Sequence, residues 1–159
     1  MAVAGAGIGG LTASVLLAQS GHRVALFDQF EAPRPVGSGL VIQPVGQHVL
    51  AVAGAATAAL KDGQRIRRLL GTESRSGRVV LDVSYGREES GRFGLGIHRA
   101  SLFDALWTRM QASGTQFTAS AEVVSLSSVP DGRQMLHFAD GRKEGPFDLV
   151  VDAAGSNSP

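Results

Sequence analysis

A glycine-rich run near the start of the chain, residues 5–10 (GAGIGG), constrains the fold more than any other feature of the sequence. It follows the short apolar run 2–4 and opens a segment whose apolar side chains recur at the spacing of a helix. The apolar face of this predicted helix consists of Leu11, Val15 and Ala18. Gly21 stands where a helix ends in a left-handed residue, and the apolar run 24–27 predicts a second strand. Strand, glycine turn, helix and strand in this order predict a βαβ unit of a parallel sheet.

The glycines of this run have the positions needed by a turn that receives a pyrophosphate. Gly5 permits the tight turn out of the strand, Gly7 lets the backbone approach a phosphate, and Gly10 lets the helix pack closely on the sheet. The N-terminus of the helix offers free N–H groups and a partial positive charge to the phosphates. Asp28 follows the second strand, where its carboxylate is expected to accept hydrogen bonds from ribose hydroxyls and to disfavour the 2′-phosphate of NADP. We therefore predict a site for the ADP half of a dinucleotide, with FAD and NAD both open on these residues alone.

The composition is typical of a globular protein. The 159 residues are enough for one domain with its own core, and 43% of them are apolar and 18% charged. A net charge of +1 indicates neither a nucleic-acid nor an anionic-membrane partner. The sequence has no cysteine, which excludes disulfides, thiolate nucleophiles and Cys-ligated metals, and no stretch has the length of a membrane span. We therefore expect a soluble, cytoplasmic protein without a membrane or nucleic-acid partner.

Short strands and three further helices are predicted after the βαβ unit. The predicted strands are 40–42, 65–70, 78–83, 93–97, 116–118, 122–126, 135–138 and 149–151. The helices are predicted to begin at Pro44, at Ala55 and at Ser101, whose hydroxyl is expected to cap the third of them together with Asp104. A hairpin turn is predicted at Asp140-Gly141. The uninterrupted apolar run 149–151 predicts a parallel, buried strand.

Four segments of the chain resemble, in this order, the class A flavin-dependent monooxygenases of the para-hydroxybenzoate hydroxylase type. They are residues 3–11 with Asp28, residues 34–40 (RPVGSGL), residues 97–102 (IHRASL), and Asp140-Gly141 followed by residues 148–158 (DLVVDAAGSNS). The order of the segments is more specific than any one of them, and the likeness covers nearly the whole chain. The resemblance implies an α/β, Rossmann-like FAD-binding fold with a central parallel sheet and an antiparallel β-meander, plus the start of a β-rich substrate-side segment.

The resemblance also implies a division of the chain. Residues 1–64 would form the first FAD-binding part, residues 65–97 a partial substrate-side β segment, and residues 98–159 the second FAD-binding part. Members of the family are much longer, and their second Gly-Asp motif and most of their substrate domain have no counterpart here. We therefore expect a chain truncated after residue 159. Because truncation would expose apolar surface, a homo-oligomer is also considered.

The FAD-binding residues are assigned from the family's motifs. Arg99, at the head of a helix, would contact the phosphates or the ribityl chain, and Arg34 would flank the ribose. A cation at a helix N-terminus is unfavourable unless an anion is close, which favours this role for Arg99. The complete set implied as cofactor-binding is Gly5, Gly7, Ile8, Gly9, Gly10, Asp28, Gln29, Arg34, Gly39, Arg99, Val123 and Gly155. We predict no metal site and nominate no catalytic acid, base or nucleophile.

The activity implied by the resemblance is the insertion of one oxygen atom from O2 into a small, often aromatic, organic substrate. FAD would be the cofactor and NAD(P)H its transient reductant. The family's usual Gly-Ala-Asp-Gly has the sequence Asp-Ala-Ala-Gly at residues 152–155 here, so Ala154 replaces the usual carboxylate. This leaves nicotinamide handling, or pyrophosphate contact by this loop, open. Two alternatives remain, a reductase or dehydrogenase of the same fold and a truncated nucleotide-binding fragment without catalysis.

Overall fold

The computed structural model describes residues 1–32, 37–85, 91–155 and 158. Contacts between residues divide the chain into two compact units. The first unit combines Met1–Val36 with Phe103–Pro159, and the second is Gly37–Leu102. The assignment of residues 65–97 to a substrate-side segment stays a prediction. Within the described residues, no helix combines the length and the apolar character that crossing a membrane requires.

Short strands outnumber helices along the described parts of the chain. In chain order the elements are β1 (Ala2–Ala4), α1 (Ile8–Gln19), β2 (Ala25–Phe27), β3 (Gly39–Ile42), α2 (Pro44–Val52), α3 (Ala56–Asp62), β4 (Gln64–Ile66), β5 (Arg68–Thr72), β6 (Val79–Ser84), β7 (Gly94–His98), α4 (Arg99–Ala112), β8 (Gln116–Thr118), β9 (Val123–Ser128), β10 (Gln134–Phe138), β11 (Lys143–Phe147) and β12 (Val150–Asp152). A parallel sheet, antiparallel sheets and helices together confirm the predicted α/β class.

The first unit contains a four-stranded parallel sheet with the strand order β12-β1-β2-β8. All three residues of β1 are buried, because β1 lies between β12 and β2 and is packed against α1. Helix α1 buries Leu11 and Val15, whose exposed fractions are 0% and 1%. Its C-terminus is closed by Gly21 at φ +86°, whose N–H donates to the Ala18 carbonyl at 3.0 Å. These observations confirm the predicted βαβ unit.

Strand β12 is parallel, as predicted, but the prediction that it is buried is wrong. Val150 and Val151 are only partly buried, and Leu149, just before the strand, is 44% exposed. Among the described strands, β12 is the outermost of its sheet and pairs with β1 alone. The apolar run therefore marks the edge of this sheet and not its centre.

Strands β9, β10 and β11 form the predicted antiparallel meander in the order β11-β10-β9. The turn at Asp140-Gly141 joins β10 to β11, which confirms the predicted hairpin, and the Asp140 carboxylate accepts the Arg142 N–H at 2.9 Å. The meander and the parallel sheet share a core in which the ring centroids of Phe27 and Phe138 lie 5.3 Å apart. This core holds the end of β2 next to the start of β9.

Helix α4 begins at Arg99, two residues before the predicted cap, so the capping role predicted for Ser101 is wrong. Strand β7 continues directly into the helix, and the Arg99 N–H donates to the Ser38 carbonyl at 3.3 Å. The helix start is thereby fixed by backbone contact with residue 38, and Ser101 falls within the first turn. The predicted buried stripe is confirmed, since Leu102, Leu106 and Met110 are at most 1% exposed.

The second unit contains a three-stranded antiparallel sheet, β3-β7-β4, and a separate hairpin, β5-β6. The single strand predicted over 65–70 is in fact two strands, β4 and β5, which pair with different partners. The break falls at Arg67, whose carbonyl accepts the Tyr85 N–H at 3.1 Å, whereas Ile66 pairs with Gly94. Tyr85 packs so closely on β7 that a Cβ on Gly94 would lie 2.7 Å from its Cζ.

Candidate functional site

The glycine turn after β1 is packed so closely that two of its residues have no room for a side chain. Gly5 has φ +100°, and a Cβ there would lie 2.4 Å from the Ala153 carbonyl oxygen. A Cβ on Gly10 would lie 1.8 Å from the carbonyl oxygen of Gly5. The Gly5 N–H donates to the Phe27 carbonyl at 2.7 Å, which joins the turn to β2. The turn is therefore held in place by β2 on one side and by the segment after β12 on the other.

Gly7 and Gly9 differ from these two glycines, because a Cβ on either would meet nothing within 4 Å. Both residues are exposed, while Ile8 between them is partly buried. Gly7 is the N-cap of α1, no side chain caps the helix there, and its first turn contains no acidic residue. The N–H groups at the start of an α-helix lack partners within the helix. This helix end is thus open on its outer side and electrostatically suited to an anion.

Asp28 is 8% exposed and joins the glycine turn to the segment after β2. Its Oδ2 accepts the Ala6 N–H at 2.6 Å, and its Oδ1 accepts the Phe30 N–H at 3.0 Å. A carboxylate has about four acceptor positions, so each oxygen retains capacity for a further donor such as a hydroxyl. The sequence pointed to Asp28 as a ribose acceptor, which stays a prediction, and did not anticipate its contact with Ala6. The Ala6 N–H is directed at Asp28, whereas the N–H groups of the first helical turn have no partners within the helix and can meet a phosphate.

The loop after β12 lies against the glycine turn through Ala153, whose N–H donates to the Ala4 carbonyl at 2.8 Å. Asp152 makes local contacts in this loop: its carboxylate accepts the Ser158 hydroxyl and, at 3.0 Å, the Ala154 N–H. The Ser158 hydroxyl, followed by the Ala154 N–H, holds the pKa of Asp152 below its ordinary value. Ala154 and Gly155 are exposed, with Gly155 at φ +90°. Asp152 is thus engaged within its own loop.

Arg99 and Gly39 are neighbours in the second unit. Gly39 pairs with His98 at the end of β7, one residue before Arg99. The Arg99 side chain lies along the preceding loop, where a Cβ on Gly37 would be 3.3 Å from its Nη1. Gly37 has φ +110°, a conformation that glycine adopts without strain. The exposed Arg99 side chain therefore lies next to Gly37 at the start of α4.

The predicted cofactor-binding residues fall into both units. Those in the first unit are Gly5, Gly7, Ile8, Gly9, Gly10, Asp28, Gln29, Val123 and Gly155, and those in the second are Gly39 and Arg99. Arg34 lies outside the described residues. In the first unit, most of them follow the carboxyl ends of parallel strands, the edge at which open α/β sheets bind ligands. Within the described residues, no group of three or more His, Asp or Glu side chains is placed to hold a metal ion.

These features define a nucleotide-binding domain built on a βαβ unit, and comparisons with known proteins identify its family. Residues 1–158 match the family described as FAD binding domain. The aurachin C monooxygenase/isomerase of Stigmatella aurantiaca is 32% identical over 157 residues, which are 98% of this chain and 40% of that protein. The 3-amino-4-hydroxybenzoate 2-monooxygenase of Streptomyces cremeus is 31% identical over 163 residues, 99% of this chain and 40% of that protein.

Solved structures agree with these relatives. A structure of 2-methyl-3-hydroxypyridine-5-carboxylic acid oxygenase superposes with a TM-score of 0.82 at 27% identity, covering 99% of this chain and 40% of that one. The chain therefore belongs to the FAD-binding domain family, whose cofactor is FAD. It spans about 40% of the length of the curated relatives described above.

Proposed function

We propose that this chain is the N-terminal, FAD-binding part of a flavin-dependent monooxygenase that uses NAD(P)H and O2 to hydroxylate a small, aromatic substrate. The observation that carries the proposal is the glycine turn at residues 5–10 with Asp28 beside it, in a chain similar to monooxygenases over almost its whole length. When bound, FAD would supply the redox chemistry that links NAD(P)H and O2 to the substrate.

The first unit would hold the ADP half of FAD. The N–H groups of the first turn of α1, from Ile8 to Gly10, would donate to the pyrophosphate. The pyrophosphate could lie close to the backbone of Gly7, because Gly7 has no Cβ. The remaining acceptor positions of Asp28 would receive the ribose hydroxyls. Open space beside Gly7 and Gly9 and an uncapped helix end support this arrangement, because a ligand needs both.

The other predicted residues would complete the cofactor site. Arg99 would place its guanidinium on the phosphates or the ribityl chain, with Gly39 beside it and Arg34 flanking the ribose. Gln29 would lie at the ribose edge, Val123 at the start of β9 and Gly155 in the loop after β12. The exposed position of Arg99 at the start of α4 supports this role, because a cation there is unfavourable unless an anion is close.

The substrate, O2, a cytoplasmic location and a homo-oligomeric state also belong to this proposal. A small aromatic substrate is supported by the names of the relatives, and 2-methyl-3-hydroxypyridine-5-carboxylic acid oxygenase has been solved in a tetrameric form. The absence of cysteine from the sequence is compatible with a reducing compartment. Exposed apolar residues such as Leu70 and Val80, 53% and 60% exposed, offer area for association.

The cofactor is tested by denaturing the purified chain and identifying the released nucleotide chromatographically against FAD, FMN and NAD. We expect FAD, either as purified or after incubation with it, and less of it in the Asp28→Ala variant. A chain that retains NAD or no nucleotide after such incubation would contradict the proposal. The activity is tested on the complete translation product of the gene, in which O2 consumption should depend on both NAD(P)H and an aromatic substrate. NAD(P)H oxidation without oxygen insertion would favour a reductase.

A further inference from the structure

Phe30 is an exposed aromatic residue at a fixed position beside Asp28. Its side chain is 55% exposed, whereas Phe27 and Phe138 in the core of the same unit are 0% and 4% exposed. Single exposed apolar side chains are common on protein surfaces. The backbone of Phe30, however, is held at both ends: its N–H donates to Asp28 Oδ1 at 3.0 Å, and its carbonyl accepts the Ser120 N–H at 3.1 Å. The backbone position from which the Phe30 ring projects is therefore fixed next to Asp28, the proposed ribose acceptor.

The loop that holds Phe30 has an unusual backbone conformation. Among the non-glycine residues that the structure describes, Ser120 alone has a positive φ, of +48°. Its carbonyl accepts a hydrogen bond from Arg142 Nη2 at 2.8 Å, and the Arg142 guanidinium lies 5.4 Å from the Phe138 ring centroid. Such a conformation costs free energy and persists where surrounding contacts impose it. The contacts of Arg142 and Phe30 with Ser120 fix this loop beside Asp28.

The order of groups in a dinucleotide places the adenine on this side of Asp28. The pyrophosphate and the adenine lie on opposite sides of the ribose. With the pyrophosphate at the N-terminus of α1 and the ribose on Asp28, the base extends past Asp28, away from the glycine turn. Strand β2 lies between β1 and β8, so the loop 119–121 after β8 is on the opposite side of Asp28 from the glycine turn after β1. This loop and Phe30 are joined to Asp28, because the Phe30 N–H donates to the Asp28 carboxylate and the Ala121 N–H donates to the Asp28 carbonyl at 2.8 Å.

We infer that the ring of Phe30 stacks on the adenine ring of FAD. A phenyl ring has no hydrogen-bonding group, so it recognises the face of the base and not its edge. Asp28 would thus select the sugar, and Phe30 would select for a planar base beyond it. This inference rests on the proposed function, because it takes the ADP half of FAD as the ligand of the first unit.

The test compares equilibrium dissociation constants of FAD and of ADP for the unmodified chain and for Phe30→Ala, Phe30→Leu and Phe30→Tyr. Alanine and leucine should each weaken both ligands about tenfold, because both remove the aromatic face, while tyrosine should bind as the unmodified chain does. Leu126→Ala is the matched control, since Leu126 is 50% exposed in the same unit and should leave both constants unchanged. Phe30→Leu keeps most of the apolar volume and remains informative if Phe30→Ala fails to fold.

The results separate this inference from the proposal on which it rests. Equal FAD affinity of Phe30→Leu and the unmodified chain would overturn the stacking role and leave FAD binding intact. Weaker FAD binding with unchanged ADP binding would also overturn it, because Phe30 would then act on the flavin half. An unmodified chain that binds neither FAD nor ADP would overturn both the inference and the proposed function.

Discussion

The glycine turn of the first unit and the β5-β6 hairpin of the second differ in how strongly their surroundings constrain each residue. In the turn, Gly10 faces the Gly5 carbonyl at a distance that admits no Cβ, and Asp28 is buried against the Ala6 N–H. In the hairpin, Val80 is 60% exposed and the ion pair of Arg68 with Asp82 lies at the surface. The backbone of the hairpin is paired, but its side chains have few packing partners within their unit. Substitutions should therefore be costly in the turn and mild in the hairpin.

The largest effect is expected from Gly10→Ala. The new Cβ would lie 1.8 Å from the Gly5 carbonyl oxygen, and a backbone atom cannot move away as a side chain can. The free energy of unfolding should fall by about 3 kcal/mol or more, measured by urea denaturation.

The matched control for this change is Gly9→Ala, in the same helical turn but with open space at the Cβ position. Alanine is a better helix former than glycine, so the stability of this variant should be unchanged or slightly higher. Equal losses for the two variants would show that the Gly5 carbonyl does not restrict the side chain at residue 10.

A smaller loss is expected from Asp28→Ala, which leaves the buried Ala6 N–H without an acceptor. The cost should be about 1–3 kcal/mol in the free energy of unfolding, without any nucleotide present. Asp82→Ala removes the exposed partner of Arg68 and sharpens the comparison, because its midpoint of denaturation should not change measurably. A loss for Asp82→Ala as large as that for Asp28→Ala would remove the distinction between the two regions.

Ser14→Ala should stabilise the first unit. Ser14 is 0% exposed on α1, and its hydroxyl has no hydrogen-bond partner among the described residues. Removing an unpaired buried hydroxyl should raise the free energy of unfolding by about 1 kcal/mol, seen as a higher melting temperature. Tyr85→Phe tests the same point at the end of the hairpin, where the Tyr85 hydroxyl also has no partner within the described part of the chain. Destabilisation by both changes would show that the two hydroxyls form hydrogen bonds in solution.

The smallest effect concerns Asp152 and pH. In the folded state, contacts with Ser158 and Ala154 lower the pKa of the Asp152 carboxyl group below its ordinary value of 3.8. Because the pKa of Asp152 is lower in the folded than in the unfolded chain, its charged form stabilises the protein at pH values above the unfolded-state pKa. This stabilisation is lost as the pH falls through the pKa of Asp152 in the folded state. Asp152→Asn should therefore reduce the decline in stability below about pH 4, measured by denaturation at a series of pH values. An unchanged acid dependence would show that these contacts do not persist in solution.

The sequence predicted the first unit best because its residue types are set by local requirements. Each feature of this unit has one structural explanation, and the structure confirms each prediction. The features are the glycines at residues 5 and 10, the apolar spacing of α1 and the left-handed Gly21. The hairpin turn was also predictable, since Asp140-Gly141 is a strong turn signal directly after the run 135–138. Strand β11 (Lys143–Phe147) was missed, because its sequence KEGPF contains Gly and Pro and does not alternate.

The errors arose where contacts distant in sequence decide the structure. The start of α4 depends on the Ser38 carbonyl, which capping rules do not include, and so Ser101 was misassigned. The break at Arg67 depends on a choice between two partner strands, which the alternation of residues cannot reveal. The contact of Asp28 with Ala6 could not be predicted without the three-dimensional course of the glycine turn. An acidic residue at the end of the strand that follows a glycine turn is nevertheless a signal to look for such a contact.

The central claim is that the glycine turn and Asp28 hold the ADP half of FAD. The most direct measurement is a titration of the isotopically labelled chain with ADP, followed by the 15N–1H resonances of its backbone amides. We predict shifts at Gly7, Ile8, Gly9 and Gly10 and next to Asp28, with the amides of the β5-β6 hairpin unmoved and the shifts weaker in Asp28→Ala. Shifts confined to the hairpin, or none at the turn at saturating ADP, would contradict the account.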